Sequence, residues 1–109
     1  MEKGIMKNLQ SGIFKLIVAI FPQGKIKQIM PVIQDAGIFG ATMLSGKGLC
    51  TKDGIRNLGL QIGSSREILI LVTLDINRKK LVNLLKEYGK VKEPGKGIIF
   101  VMDICQVFG

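Results

Sequence analysis

At 109 residues and a formal net charge of +8, the chain has the size of one domain and is long enough to bury its own core. It is 47% apolar and 22% charged, which excludes a disordered tail, and the basic excess points to an anionic partner: nucleotide, nucleic acid and acidic protein all stay open. With no histidine and two cysteines, Cys50 and Cys105, a histidine-based triad is excluded, and a zinc centre or a disulfide framework is disfavoured.

Residues 1–12 are polar and read as an N-terminal extension. Residues 13–109 read as the domain. Ile13 to Phe21 is rich in β-formers and stops at Pro22, which predicts a first strand. From Gly24 to Ala36 the residues Ile26, Ile29, Met30 and Ile33 recur at helical spacing, with Pro31 inside and Gly37 as the stop. Phe39 to Gly46 predicts a second strand, and Leu49 to Ser65 a long connection carrying Gly54, Gly59 and Gly63. Glu67 to Leu74 predicts a third strand. Asn77 is placed to cap a second helix with Leu81, Leu84, Leu85 and Tyr88 on its apolar face and Gly89 at its end. Lys90 to Gly97 is a loop and Ile98 to Ile104 a fourth strand.

The apolar run from Ile13 is broken by Lys15 and the run from Ile68 to Leu74 is short, so no membrane insertion is expected. No leader peptide is expected either, and the thiols are expected to be reduced in the cytoplasm.

The order strand, helix, strand, strand, helix, strand is the split βαβ arrangement: an α+β, ferredoxin-like βαββαβ sandwich, with an antiparallel sheet carrying two helices on one face. In that topology the end of strand one, the end of strand two and the starts of strands three and four share one edge. It gathers Gln23-Gly24-Lys25, Gly46-Lys47-Gly48, Arg66, Gly95-Lys96-Gly97 and the N-terminus of the first helix. Backbone N–H groups and ammonium charge on one edge suit a phosphate. The strands are apolar on both faces, whereas two helices cover one, which predicts burial of the other face between subunits.

Ile13 to Val107 resembles the PII signal-transduction family, in its divergent PII-like branch. Gly40-Ala41-Thr42 resembles the family's glycine-x-threonine. Gly46-Lys47-Gly48 resembles the base of its T-loop, whose place Leu49 to Ser65 occupies. Glu93 to Val101 resembles its glycine-rich B-loop and the strand after it. The resemblance implies a homotrimer that binds an adenine nucleotide, ATP or ADP, or another small anion, in clefts between subunits. It implies a non-enzymatic regulator, commonly of nitrogen metabolism, that presents a flexible T-loop at 49–65 to a target protein. Carried over, Thr42 lies near the nucleotide, Lys47 and Gly48 form the T-loop base, and Gly95, Lys96 and Gly97 cradle phosphate. The chain departs from the pattern at Ile98, where the family has the B-loop lysine. It has no counterpart of the basic pair near the family's C-terminus, and its single tyrosine, Tyr88, falls in the second helix instead of the T-loop.

Two other classes compete. A ferredoxin-like RNA-binding module needs aromatics exposed on the sheet for base stacking, and Phe14, Phe21 and Phe100 are its candidates. Nucleic acid is disfavoured because the last strand lacks the aromatic spacing. An enzyme is disfavoured because Glu93 and Asp103 are isolated acids and neither cysteine has a histidine to activate it.

Overall fold

The computed structural model describes residues 13–47, 65–93 and 95–108. Six elements follow one another: β1 (Phe14–Pro22), α1 (Lys25–Ile33), β2 (Ile38–Lys47), β3 (Ser65–Leu74), α2 (Asp75–Gly89) and β4 (Ile98–Asp103). They form a four-stranded sheet in the order β2-β3-β1-β4, and every neighbouring pair is antiparallel. This is the expected ferredoxin-like architecture. The expected 49–65 connection, Gly48 and Cys50 lie outside the described residues, apart from Ser65, which opens β3.

The period-2 alternation of the central strands decides which side chains meet the helices. Ile17, Ala19 and Phe21 of β1, with Leu69 and Leu71 of β3, are buried beneath Ile26, Ile29 and Ile33 of α1 and Leu81 and Leu85 of α2. The alternate positions, Leu16, Val18, Ile20, Ile68, Ile70 and Val72, face the other way and are only half-buried. Phe100, Met102 and Leu44 share that face by register and are exposed. Among the described residues, the expected uncovered apolar face is therefore present.

Local details differ from the sequence reading. Helix α1 ends at Ile33, because after Pro31 the chain turns through Ala36 into the core and reaches Gly37 at φ +91°. Asn77 does not cap α2. β3 passes directly into the helix at Asp75, whose N–H donates to the Ile13 carbonyl at 2.8 Å, and Asn77 instead packs against Gly37. Tyr88 is 46% exposed, so the buried stripe is Leu81, Leu85 and Gly89. Gly89 is the last helical residue, but the left-handed cap is Lys90 at φ +54°. A Cβ at Gly89 would stand 2.5 Å from the Phe21 ring, so glycine is needed there for packing. Among the described residues no helix is long and apolar enough to cross a membrane.

Candidate functional site

Register places the expected elements on one edge. Pro22 lies opposite Arg66, Gly46 opposite Arg66 on its other side, Lys47 opposite Ser65, and Ile20 opposite Ile98 at the start of β4. A groove of about 260 Å³ opens there, lined by Gln23, Ser45, Gly46, Lys47, Ser65 and Arg66. Its described lining contains two cations and no carboxylate.

Arg66 is the buried member, 7% exposed. Its alternation parity puts it on the uncovered face, with Ile68 and Ile70. From β3 its guanidinium reaches across the end of β1, where Nη1 donates to the Gly95 carbonyl at 3.4 Å. Its Nε has no hydrogen-bond partner among the described residues. Glu67, the next residue, points to the helix side: its Oε1 accepts from the Ile26 N–H at 3.2 Å. The N-terminus of α1, expected to offer its dipole to a ligand, thus already holds a carboxylate of its own chain.

The sequence-predicted residues separate into groups. Lys47 lines the groove and is exposed. Gly95 is half-buried at φ +78° and meets Arg66 through its carbonyl. Lys96 is exposed, with its N–H donated to the Glu93 carbonyl at 3.2 Å. Gly97 is buried at φ +149°, where a Cβ would stand 2.7 Å from both the Ile20 carbonyl oxygen and the Phe21 ring. Close approach of β4 to β1 requires this glycine whatever else its N–H does. Thr42 is exposed in mid-strand opposite Ile70, on the uncovered face and outside the groove. Gly48 lies outside the described residues.

Sequence reasoning placed Arg66 on this edge but gave it no binding role. The signal was its parity: an arginine two residues before Ile68 shares the face that the helices leave open. Among the RNA-stacking candidates, Phe14 and Phe21 are buried and only Phe100 is exposed.

The model of the family described as nitrogen regulatory protein P-II matches residues 14–109. The chain belongs to the P-II family. Solved structures agree on the P-II fold. The Bacillus subtilis GlnK–ATP complex superposes with a TM-score of 0.62 at 19% identity, over 88% of this chain and 85% of that one. Arabidopsis thaliana PII bound to citrate superposes at 0.67 with 20% identity, over 86% of this chain and 77% of that one. No curated protein matches the chain.

Proposed function

We propose that the protein is a non-enzymatic, cytoplasmic regulator of the P-II type, a homotrimer that senses a small anionic ligand at the edge described above. The ligand is an adenine nucleotide, ATP or ADP. The observation that carries this reading is the convergence of Lys47, Arg66 and Gly95 at one sheet edge, beside an apolar face that two helices leave uncovered. Packing copies of that face together buries Val18, Ile68 and Ile70 and sets the edges of neighbouring subunits side by side, making clefts of the kind that hold small molecules. Thr42 and Gly48 contribute from β2 and its continuation, and Lys96 and Gly97 from the turn before β4. Family membership and likeness to ATP- and citrate-bound relatives support an anionic ligand.

Signalling proceeds by population shift. A ligand that prefers one arrangement of residues 49–65 changes which surface meets a target protein, and nitrogen regulation is the pathway that the family's description suggests.

The test is thermal unfolding and sedimentation of the full chain, with millimolar ATP or ADP, with and without magnesium. A ligand at about 100 times its dissociation constant adds about 2.7 kcal/mol to stability. A nucleotide-specific rise in Tm on a trimer supports the proposal. A monomer, or a trimer unmoved by either nucleotide, rejects it.

A further inference from the structure

We propose that Arg66 is the anion-holding residue of this edge: its guanidinium, beside the Gly95 carbonyl, receives a phosphoryl or carboxylate group of the ligand. This deepens the reading above and rests on it for the ligand's adenine part, but not for the anion's seat.

Arginine is almost never fully buried unless paired, because an unpaired internal cation pays a large desolvation cost. Arg66 is 93% buried by complement of its 7% exposure, yet its one hydrogen bond in the described structure goes to a neutral carbonyl at the long distance of 3.4 Å. Its Nε is buried without a partner among the described residues. The nearest acid in sequence, Glu67, is turned to the opposite face and engaged by the Ile26 N–H. A guanidinium presents its donors as a planar fork that matches a phosphoryl or carboxylate group with two parallel bonds. The groove adds a second cation, Lys47, and the hydroxyls of Ser45 and Ser65. The exposed turn lysine, Lys96, is absent from the groove's described lining, so Arg66 and Lys47 are the cations this edge offers the anion. The turn has a different part: the Gly95 carbonyl orients the guanidinium.

Two consequences follow. A ligand occupying Arg66 sits at the first turn-ward residues of β3 and the last of β2, the two strand ends that residues 48–64 connect. Binding there ties the two ends of that segment to one charge. The same seat also accepts a phosphoryl or a carboxylate group, so pyrophosphate and citrate are the two probes that separate these chemistries.

The experiment is calorimetric titration of the full-length protein with pyrophosphate, citrate, ATP and ADP, repeated on Arg66→Lys, Arg66→Met and Lys47→Ala. Loss of a buried charge-paired contact weakens binding by about 100-fold or more, so Arg66→Met is expected to abolish measurable binding of the anion. Arg66→Lys keeps the charge without the fork and is expected to lose about tenfold, and it serves as the readout should the methionine variant fail to fold. The exposed Lys47→Ala is expected to cost only a few-fold. Binding that needs Arg66 for pyrophosphate but not citrate assigns a phosphoryl seat; the converse assigns a carboxylate seat.

Nucleotide binding that survives in both Arg66 variants overturns the inference while leaving the proposed function standing. Pyrophosphate or citrate binding that depends on Arg66, with no binding of ATP or ADP, keeps the inference and rejects the nucleotide. Absence of binding by all four probes overturns both. The inference also falls if Arg66→Met lowers Tm in an anion-poor buffer, since Arg66 is then paired within the chain.

Discussion

The two ends of the sheet handle charge in opposite ways. At one end, where β1 starts and β3 and β4 finish, Lys15 pairs with Asp103 and stands 3.8 Å from Asp75, which also accepts from Arg78 Nε at 3.0 Å. Lys15 and Arg78 there each meet a carboxylate of their own chain. At the other end, Arg66 and Lys47 line a groove with no carboxylate in its described lining, and Glu67, next to Arg66 in sequence, serves the α1 backbone. Paired charges close the first end and make it part of the scaffold. The second end leaves Arg66 without a charge partner among the described residues, which is what the proposed anion would supply. Position in the sheet is nearly equivalent for the two ends, so the difference lies in which residue types the chain supplies.

If the ligand edge lacks internal ion pairs, close packing must hold it in place, and Gly97 tests this most severely. Gly97→Ala would drive a Cβ to 2.7 Å from the Ile20 carbonyl oxygen and the Phe21 ring. Overpacking with backbone strain predicts a loss of about 2–4 kcal/mol. Gly24→Ala is the control: it shares a left-handed φ, +89°, but has nothing within 4 Å, and should lose only about 1 kcal/mol. Denaturant unfolding of both variants decides the matter. Equal losses would show that backbone conformation alone, and not the β4–β1 approach, fixes this edge.

The next largest effect reverses sign between the two ends. Lys15→Met removes a cation whose side chain is 16% exposed and leaves two carboxylates facing each other, so stability should fall by about 1 kcal/mol, less at high salt. Arg66→Met, measured without added anion, removes a buried cation that has no charge partner among the described residues. Its stability should hold or rise, because a desolvation cost disappears while the methylene packing remains. Urea unfolding in an anion-poor buffer reads both. Parallel losses would erase the distinction between the ends.

Much of this contrast was legible in the sequence, and the reasons for the gaps are physical. Richness in β-formers marked both strands in IFKLIVAIF and REILILVT, and helical spacing of Ile26, Ile29 and Ile33 marked α1, because propensity and period are properties of neighbours in the chain. The shared edge followed from topology alone. What failed were local choices settled by distant contacts. Asn77 looks like a cap, but β3 runs straight into α2 and a backbone bond from Asp75 to Ile13 fixes the start. Gly89 looks like a left-handed stop, but it is the last helical residue, packed on Phe21, and Lys90 takes the left-handed conformation. Gly97 looks like a phosphate-cradling glycine, and it is also where β4 meets β1. Arg66 showed in the sequence as a basic residue on the shared edge, and its burial is what singles it out there.

The smallest effect belongs to the closed end and is a pH dependence. Arg78's hydrogen bond, helped by the positive charge of Lys15 and Arg78 against a smaller opposing effect of desolvation, holds the Asp75 carboxyl below the ordinary aspartate value. A carboxyl depressed by folding stabilises the native state fully above its unfolded pKa, about 3.9, and loses that contribution as pH falls through the lower folded value. Asp75→Asn should therefore lower Tm slightly and by a constant amount from pH 7 to pH 5, with the gap closing below about pH 4 as the parent's carboxyl is neutralised. Thermal scans of parent and variant from pH 7 to pH 2.5 measure it. A gap that persisted at pH 2.5 would assign the loss to the geometry of the β3–α2 junction, since a neutral aspartic acid and asparagine carry the same charge there.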